Sequence, residues 1–550
     1  MIHASEYTAD FETTGLTNYE KDGEVRVWLW SLVSIKDNDR YYYGTSIDSF
    51  IDKLIELKAT KVWFHNLRFD GYFLLYGLEQ RGYKYGTSYE IAIDNMGNWF
   101  EIRIIFNDVV CKVWDSLKKF PNQSVQSVSK LYGIEGKKDY PDFTKYIPII
   151  YIPTKEEIEY CIQDSRIMAY ALNKEYQKGH NKITLSTDAF TEVKSFIGGK
   201  FWRNNFPLLS NDDDAFFRDA YGGGWVYVNP KYANKEVYNV NVYDINSMYP
   251  DKMKNFPLPY GYANYNQHPE KDDLYIVRFK AIFQIKKGYL PTIHNHHGMI
   301  GESKYYYYSD EPMQLTMTNI DWELFTKHYK YELVEEEPFY RCFKSKVGLL
   351  APYIDKYMKE KADATIENDK AKRLLAKLYL NSPYGKTGMR PNRISREPYF
   401  EDGIIKFKPY TTQSDSIYVP YAIFVCSWAR YQIINMAQDN IKNFVYADTD
   451  SLHLIDGATI DEKEVHPTEL GKWKYEGNFD IGKYIRPKTY IHTDKYYNVQ
   501  EIKCAGMPDS IKVKLSYDDF MMGKEFDGKL IQKHVKGGCL LCPTTYRIKP

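Results

Sequence analysis

The chain has 550 residues, 43% of them hydrophobic, and its 73 lysines and arginines balance its 73 aspartates and glutamates. At about 150 residues per domain, this length predicts roughly three or four domains, each with a core of its own. No apolar run approaches the roughly 18 residues that cross a bilayer, and residues 1–6 are not a basic and apolar leader, so we expect neither a membrane-spanning nor a secreted protein.

The distribution of charge along the chain is more informative than its net charge. Residues 341–400 hold 14 Lys/Arg against 6 Asp/Glu, and residues 511–550 hold 8 against 4. Such local basic segments fit a protein that holds phosphates in defined places, although a charge run is more often a solvated face.

The seven cysteines form no disulfide framework, and Cys539 and Cys542 lack the second pair of a zinc site, so we expect reduced thiols.

The first acidic residues lie in a predicted strand. Residues 7–14 alternate as a strand does, which places Asp10 and Glu12 on one face, about 6.6 Å apart. Residues 61–70 predict a buried strand that runs into a helix, with Asp70 at the junction. Asp10 and Glu12 could share metal ions, and Asp70 could be a third acid beside them or a helix cap.

A second helix carries a phenol and a fourth acid. Residues 155–176 predict an amphipathic helix after Pro153, with Tyr160 and Asp164 on the same face at i and i+4. The alternative for Asp164 is an ordinary solvated helix position. Residues 178–209, with several glycines, predict a connection between domains.

A glycine run and a second acidic strand end follow. The run 222–224 comes after Tyr221 and allows a backbone to approach closely, or it is simply a turn. Residues 239–250 predict a strand that ends in Asp244, followed by a turn and Pro250. Residues 256–348 are aromatic, predict short strands and carry no recognisable chemistry.

Two helices are predicted over 349–362 and 367–382, joined by 363–366. Lys377, Asn381 and Tyr384 fall on one face of the second helix. A cation there would neutralise charge that grows on a phosphate during transfer. Pro383 removes an amide and crowds the carbonyl four residues earlier, so we expect the helix to end or kink near Tyr384.

Residues 443–455 predict strand, tight turn and strand, with Asp448 and Asp450 at the tip. Two carboxylates on a rigid tip suit a divalent metal held against phosphate oxygens. The alternative is a solvated Asp-Thr-Asp turn. We expect Asp244 to face these acids across a sheet.

In chain order, these segments resemble the motifs of family-B DNA polymerases, and of protein-primed bacteriophage enzymes in particular. The matching segments are 10–12, 70 and 160–164 (a DnaQ-like 3′–5′ exonuclease), 115–119, 137–140, 221–224 (YxGG), 244–250 (DxxSLYP, with Met248 for Leu), 361, 377–385 (KLxxNSxYG), 424–431, 446–451 (YxDTDS), 488–490 (KTY) and 503–507.

The resemblance implies a multidomain α/β and α+β fold, an RNase H-like exonuclease domain followed by a right-hand polymerase with two small palm insertions. The implied domains are 1–180 exonuclease, 181–255 first part of the palm, 256–348 insertion contacting the priming protein, 349–388 fingers, 389–415 second insertion for template binding and strand displacement, 416–510 second part of the palm, and 511–550 thumb.

For the exonuclease, the resemblance implies two metal ions and a water oriented by Tyr160. The implied metal ligands are Asp10, Glu12, Asp70 and Asp164. The segment 137–140 would add Lys137 as a catalytic lysine and Asp139 as a further ligand. The residues expected to hold the DNA strand are Thr13, His65, Asn66, Phe69, Ser116 and Leu117.

For the polymerase, the resemblance implies metals held by Asp244, Asp450 and the Ile245 carbonyl, with Asp448 in support. The side chain of Tyr249 would exclude a 2′-hydroxyl. The residues expected to bind dNTP are Ile245, Tyr249, Lys361, Lys377, Asn381 and Tyr384. Those expected to bind DNA are Tyr221, Gly223, Gly224, Arg430, Lys488, Tyr490 and Lys503. Cys426 stands where a threonine is common, so we expect a hydrogen bond to be lost there.

The implied function is a DNA-directed DNA polymerase with 3′–5′ proofreading that copies a linear viral genome by protein priming and strand displacement. Each site would use two Mg²⁺ ions, with Mn²⁺ as a substitute. We expect a monomer in the cytoplasm of an infected bacterium, with primer-template DNA, dNTPs, a terminal (priming) protein and a single-stranded-DNA-binding protein as partners, and no membrane. The alternatives are a non-catalytic DNA-binding protein on a polymerase scaffold, a nuclease with a vestigial polymerase half, and RNA synthesis, which Tyr249 opposes.

Overall fold

A computed structural model of the chain describes residues 5–136, 145–265, 268–270, 273–295, 304–334, 338–415 and 417–549. Lys137 and Asp139 therefore lie outside the described residues. Within these ranges, no helix combines the length and the apolar character needed to cross a membrane. No disulfide joins the seven cysteines, as their spacing predicts.

The N-terminal part of the chain folds around a seven-stranded sheet. Its elements are β1 (Glu6–Thr13), α1 (Leu16–Asp22), β2 (Val27–Ser34), β3 (Tyr41–Gly44), α2 (Ile47–Glu56), β4 (Lys61–Phe64), α3 (Leu67–Gln80), β5 (Tyr89–Ile93), β6 (Trp99–Phe106), β7 (Val109–Asp115), α4 (Val125–Tyr132) and α5 (Lys155–Gln177). The strand order is β3-β2-β1-β4-β7-β6-β5, with β4 parallel to β1 and to β7. Every residue of β2 is buried, because helices cover this sheet on both faces.

The segment 178–209, predicted as a connection between domains, is largely helical. The chain forms α6 (Leu185–Ile197), α7 (Gly199–Asn205) and α8 (Asn211–Arg218). Gly198, at φ 92°, separates the first two helices. Asp188 of α6 forms a buried ion pair with Lys119, and Glu192 accepts a hydrogen bond from Tyr357 at 2.5 Å. The segment therefore bridges the first sheet to the helices near residue 357.

The remaining chain builds a second large sheet and several smaller units. Its elements are β8 (Val226–Val228), β9 (Glu236–Ile245), α9 (Met248–Asn255), β10 (Leu258–Tyr265), β11 (Leu274–Ile285), β12 (Ile293–His294), β13 (Tyr305–Tyr306), β14 (Tyr308–Thr318), α10 (Asn319–His328), β15 (Tyr329–Leu333), β16 (Phe339–Lys346), α11 (Ala351–Ile366), α12 (Lys370–Thr387), β17 (Asn392–Glu401), β18 (Ile404–Gln413), α13 (Val419–Asp439), β19 (Phe444–Asp448), β20 (Ser451–Leu454), β21 (Trp473–Arg486), β22 (Thr489–Thr493), β23 (Val499–Cys504), α14 (Asp509–Lys512), β24 (Glu525–Val535) and β25 (Gly538–Arg547).

The second large sheet is antiparallel, with the order β23-β22-β21-β9-β20-β19-β8. It places β9, which comes before the 256–348 segment, directly between β20 and β21, which come much later in the chain. Strands β10, β11, β14, β15 and β16 form a separate five-stranded sheet, so the predicted short strands in 256–348 are confirmed. The other strands of the described residues form three two-stranded pairs, β12–β13, β17–β18 and β24–β25.

Helix α12 runs three residues past Tyr384, near which the sequence predicts an end or a kink. The helix continues to Thr387 with Pro383 buried inside it. The carbonyl that Pro383 deprives of a helical partner is that of Tyr379, and it accepts a hydrogen bond from the Tyr353 hydroxyl at 2.8 Å. Packing of α11 against α12 thus compensates the missing amide. The turn between the two helices lies at 367–369, a few residues later than predicted.

The C-terminal hairpin packs back onto the first sheet. The amide of Val25 donates to the Lys536 carbonyl at 3.0 Å, and the Tyr72 hydroxyl lies 2.7 Å from His534 Nε2. Gly538 has no room for a side chain, since a Cβ there would lie 2.5 Å from the Phe73 ring. The C-terminal hairpin therefore shares a hydrophobic core with the N-terminal part of the chain.

Two candidate metal centres

The hairpin acids and Asp244 meet at one end of the second sheet. In the β9–β20 pairing, Asp244 lies opposite Ser451, and the Ile245 amide donates to the Asp450 carbonyl at 2.8 Å. Asp448 lies opposite Ser451 in the β19–β20 hairpin. The predicted juxtaposition of Asp244 with the hairpin acids is confirmed.

The hairpin tip is held in a conformation that its neighbours enforce. Thr449 adopts φ 63°, and its amide donates to the Trp225 carbonyl at 2.9 Å. A Cβ on Gly224 would lie 2.8 Å from the Thr449 side chain. Gly224 is therefore required so that this backbone can lie against the acidic tip, whereas a Cβ on Gly223 would meet nothing within 4 Å.

The carboxylates repel one another in a partly desolvated site. Burial, and then the Asp244 carboxylate, raise the pKa of Asp450 to about 6. Burial also raises the pKa of Asp244, opposed by a hydrogen bond from Ser451. A divalent cation between the two groups would relieve this repulsion. Asp448 is placed differently, because its Oδ1 lies 3.3 Å from the Lys488 ammonium.

A group of cations faces these acids. Burial, followed by repulsion from Arg373, Lys377 and Lys474, lowers the pKa of Lys361 to about 8. The Lys361 ammonium donates to the Ser247 hydroxyl at 2.7 Å. Lys377 acts on both Asp244 and Asp450, lowering their pKa values. Crowded cations beside crowded carboxylates suit a polyanionic ligand bound together with metal.

Two aromatic rings form one wall of the site. Tyr249 stacks on Tyr384 with ring centroids 4.2 Å apart and planes 23° apart. Both rings lie near Cys426, and the Tyr221 hydroxyl makes a hydrogen bond with this thiol. The loss of the hydrogen bond that a threonine would make at position 426 stays a prediction. The stacking fixes the orientation of Tyr249.

A cleft of about 940 Å³ leads away from the acids. It is lined by Asp244, Asp448 and Asp450 at one end. The Lys488 and Lys503 side chains, more than half exposed, line it further along. The lysines of this cleft, which include Lys512, could hold a phosphate backbone with its terminus at the acids.

A chain of hydrogen bonds starts at Asp244 and runs under the sheet. Ser451 contacts the Asp244 carboxylate, and its hydroxyl lies 3.1 Å from His453 Nε2. His453 Nδ1 lies 2.8 Å from the Tyr484 hydroxyl, which lies 2.8 Å from His492 Nε2. The two imidazoles and the phenol are inaccessible to solvent. We call this chain, from Ser451 to His492, the buried relay.

The buried relay ends at the surface. His492 Nδ1 lies 3.1 Å from Glu501 Oε2, and Glu501 Oε1 lies 3.3 Å from the Lys503 ammonium. Burial lowers the pKa values of His453 and His492. The relay was not predicted from sequence because its members come from strands β20, β21 and β22, and only the alternation of Ser451 and His453 gives a local signal.

Arg430 does not face the cleft, which corrects its prediction as a DNA contact. Its guanidinium is buried and forms a two-pronged ion pair with Asp321, at 3.0 and 2.6 Å. It also donates to the carbonyls of Gly222 and Gly223, at 2.6 and 2.9 Å, and to Ser427 at 2.9 Å. Because its donors are engaged inside the protein, Arg430 positions the glycine run.

The first sheet holds the other acidic cluster. Asp10 and Glu12 of β1 lie with Cys161 of α5 so that their ligand atoms are all within 4.8 Å of one another. Asp164, one turn along α5, interacts electrostatically with the same thiol. Burial raises the pKa of Asp70 well above its usual range, and the Glu12 and Asp115 carboxylates raise it further.

The four predicted acids therefore converge, and Cys161 joins them. Its thiol was not predicted as part of the site, because a single cysteine in an amphipathic helix resembles any small core residue. The helix period was the available signal, since Cys161 and Asp164 lie three residues apart. Asp70 is not the cap of α3, which begins after Asn66. Tyr160 lies next to Cys161 on α5 and is half-buried.

His65 and Ser116, both predicted as DNA contacts, hydrogen-bond to each other. His65 Nδ1 lies 2.9 Å from the Ser116 hydroxyl, and His65 Nε2 lies 2.9 Å from the Gln123 carbonyl. Ser116 is inaccessible, and burial lowers the pKa of His65 to about 4. The pair braces the turn where Asn66 adopts φ 78°.

The other residues predicted to hold the strand remain accessible to differing degrees. Asn66 is exposed, and Thr13, Phe69 and Leu117 are half-buried. The backbone amide of Asn66 donates to the Asp115 carboxylate at 3.1 Å, which fixes the turn relative to the acids. These side chains are thus available at the rim of the cluster.

Comparisons with known proteins agree with this architecture. The family model described as DNA polymerase type B, organellar and viral, matches residues 151–464. The DNA polymerases of Bacillus phage Nf and Bacillus phage phi29 are 34% and 33% identical to this chain, covering 99% of both chains in each case. That of Streptococcus phage Cp-1 is 34% identical and covers 99% of this chain and 98% of its own length.

Solved structures show the same similarity. Phi29 DNA polymerase complexed with primer-template DNA and incoming nucleotide substrates superposes with a TM-score of 0.91 at 31% identity, covering all of both chains. An orthorhombic crystal form of the same enzyme gives 0.88 and covers 99% of this chain and all of its own. The multidomain α/β and α+β fold predicted from sequence is thereby confirmed.

Proposed function

The chain belongs to the type-B DNA polymerases of viruses and organelles and is a DNA-directed DNA polymerase of the phage phi29 type, and on that premise we propose that it copies a linear viral genome by protein priming and strand displacement, with 3′–5′ proofreading. The observation that carries the proposal is the presence of two separate acidic clusters on two sheets, one beside a cationic group and one at a rim of exposed side chains.

For synthesis, we assign the Asp244 and Asp450 carboxylates and the Ile245 carbonyl as metal ligands. This all-oxygen donor set fits Mg²⁺, or Mn²⁺ as its substitute, and the mutual repulsion of the two carboxylates supports it. Two such ions would activate the primer hydroxyl and stabilise the charge on the leaving pyrophosphate. Asp448 supports the tip and orients Lys488 toward the primer backbone.

The incoming dNTP is held by the cations and the aromatic wall. Lys361 and Lys377 neutralise the triphosphate, and Asn381 and Tyr384 shape its pocket. Lys361 is already crowded by other cations, so a bound polyanion stabilises its charged form. Tyr249, fixed by stacking on Tyr384, lies under the sugar and excludes a 2′-hydroxyl.

Tyr249→Val is expected to weaken ribonucleotide discrimination by at least about tenfold, because a smaller side chain leaves room for the 2′-hydroxyl. The measurement is the ratio of kcat/KM for a dNTP and the matching rNTP in single-nucleotide extension. Unchanged discrimination would refute the steric role of Tyr249.

Tyr484→Phe is expected to raise the Mg²⁺ concentration for half-maximal synthesis by about tenfold, since it breaks the buried relay that orients Ser451 and Asp244. It should also lower the free energy of unfolding by about 1–3 kcal/mol. The matched control is Tyr475→Phe on the same strand, whose hydroxyl donates to Asn241 at 3.1 Å. An equal Mg²⁺ requirement in wild type and Tyr484→Phe would show that the buried relay contributes packing but does not orient Asp244.

For proofreading, we assign Asp10, Glu12, Asp70 and Asp164 as the metal-binding acids of a 3′–5′ exonuclease. Tyr160 is placed to orient the water, and Asn66, Phe69, Thr13 and Leu117 to hold the single-stranded 3′ end. The raised pKa of Asp70 beside Glu12 supports a shared cation site. His65 and Ser116 brace this site from within. Lys137 and Asp139 remain sequence-based assignments.

The domain assignment follows the element boundaries. We propose the first sheet and α1–α5 as the exonuclease, the second large sheet as the palm and α11–α12 as the fingers. The β10–β16 sheet would contact the terminal protein, and the β17–β18 hairpin would enclose the template. The β24–β25 hairpin would be the thumb, and its contact with α3 supports a thumb that would help to enclose DNA for strand displacement.

The expected partners are primer-template DNA, dNTPs, a terminal protein and a single-stranded-DNA-binding protein, in the cytoplasm of an infected bacterium. Support comes from phi29 DNA polymerase, whose structures contain primer-template DNA and incoming nucleotides. We propose that the enzyme works as a monomer.

One assay tests the proposed synthesis. The chain is incubated with singly primed circular DNA, dNTPs and Mg²⁺, with and without an annealed downstream strand. We expect full-length product in both cases. Product that stops at the downstream strand would refute strand displacement, and absence of product on the open template would refute the synthetic assignment of the second sheet.

A further inference from the structure

The exonuclease acids share their site with a thiol. Sγ of Cys161 and carboxylate oxygens of Asp10 and Glu12 lie within 4.8 Å of one another, a tight group of ligand atoms among the described residues. Cys161 is inaccessible to solvent, and its Sγ lies 3.8 Å from the Asp10 carbonyl. Helix α5 therefore presents sulfur directly to the β1 acids.

The position of the thiol is fixed by the surrounding packing. The Cys161 carbonyl accepts a hydrogen bond from the Ser31 hydroxyl at 2.8 Å, and Ser31 lies opposite Asp10 in the β1–β2 pairing. The side chain packs with Trp28, Leu29 and Ile147. It therefore has little freedom to turn away from Asp10 and Glu12.

The donor set decides which cations bind. Oxygen donors suit Mg²⁺ and Mn²⁺, whereas a thiolate selects softer cations such as Zn²⁺ and Cd²⁺. Two carboxylates and one sulfur at these separations match the ligand number of a tetrahedral site that keeps one position open. The acids of the second sheet offer oxygen only, so the two centres differ in softness.

We propose that Asp10, Glu12 and Cys161 form a mixed oxygen–sulfur site that takes a thiophilic divalent cation, Zn²⁺ or Cd²⁺, in competition with Mg²⁺. Binding replaces the thiol hydrogen by the metal, and the proton goes to solvent. The consequence is that soft cations inhibit degradation selectively and leave synthesis comparatively unaffected. This inference deepens the proposed exonuclease function and rests on it only for the inhibition.

Cadmium binding tests the site without reference to activity. The full chain is stripped of metal with a chelator, and Cd²⁺ is titrated in while the thiolate-to-cadmium charge-transfer absorption is followed in the ultraviolet. We expect Cys161→Ala to lose one equivalent of this absorption. Asp10→Ala with Glu12→Ala keeps the thiol and should weaken cadmium binding by at least about tenfold.

The matched control is Cys111→Ala. Cys111 is equally buried and lies in β7 of the same sheet, and burial alone raises its pKa, with no carboxylate acting on it. This variant should bind cadmium as the wild type does. Cadmium absorption that is unchanged in Cys161→Ala, or unchanged when both carboxylates are removed, would overturn the proposal.

Zinc inhibition provides the functional arm. At fixed Mg²⁺, the Zn²⁺ concentration that halves degradation of single-stranded DNA should rise by at least about tenfold in Cys161→Ala relative to wild type. The Zn²⁺ sensitivity of primer extension should be the same in both. Equal inhibition of degradation in both would overturn the selectivity. A wild type that degrades no DNA would refute the exonuclease function. The cadmium titration would still test metal binding at Cys161.

Discussion

Asp450→Ala is expected to lower templated dNTP incorporation by at least about 10⁴-fold, which corresponds to about 5.5 kcal/mol of barrier. The physical reason is that Asp450 shares its charge environment with Asp244, so its removal leaves one carboxylate where two are needed to hold bridging cations. Single-nucleotide extension of a labelled primer measures the rate, and a gel shift measures DNA binding, which should stay unchanged.

The matched control for this prediction is Asp439→Ala, which removes an exposed acid at the end of α13. Its extension rate should equal that of the wild type. An Asp450→Ala enzyme that retains activity within about tenfold would contradict the ligand assignment. Loss of DNA binding in Asp450→Ala would instead indicate that the acid supports the fold of the cleft.

Asp10→Ala combined with Glu12→Ala is expected to lower degradation of single-stranded DNA by at least about 10³-fold and to leave primer extension unchanged. The two acids lie on β1 of the first sheet, whereas Asp244 and Asp450 lie on the second. Separate sheets allow one activity to be removed without the other. Degradation of a labelled oligonucleotide without dNTPs, and its extension with dNTPs, give both rates.

The control here is Glu20→Ala, an exposed acid on α1 of the same domain. It should leave both rates unchanged. Degradation that survives removal of Asp10 and Glu12 would show that these acids hold no essential ion. A wild type that degrades DNA but extends no primer, together with a variant that does neither, would instead indicate the vestigial-polymerase alternative.

Local sequence patterns predicted the elements that carry the acids. The period-two alternation around Asp10 and the polar step between two apolar runs at Asp448 are short-range signals, and both strands form where expected. Helix α5 begins after Thr154, as predicted, and a capping box with Glu157 stabilises that end. The acidic residues could therefore be placed on the right elements from local patterns alone.

What could not be predicted depends on contacts between distant residues. Pro383 is tolerated because Tyr353, on another helix, satisfies the carbonyl that it orphans. Arg430 fits a DNA-binding pattern, but its guanidinium forms an ion pair with Asp321 inside the protein. Neither partner is visible from the local sequence.

The same limit applies at the acidic cluster of the first sheet. His65 and Ser116 are predicted from sequence to contact the DNA strand, but they bond to each other across 51 positions. Cys161 is predicted only as one of seven reduced thiols, because its chemistry depends on β1 lying under α5. Sequence identifies the charged groups, and tertiary packing decides which of them face the ligand.

The most direct measurement is a crystal structure of the wild-type chain with primer-template DNA, a non-hydrolysable dNTP and Mn²⁺, with the ions located by anomalous scattering. We predict two peaks about 3.5–4 Å apart, both within bonding distance of the Asp244 and Asp450 carboxylates. A fully bound DNA and nucleotide with no shared ion between these two side chains would contradict the two-metal assignment.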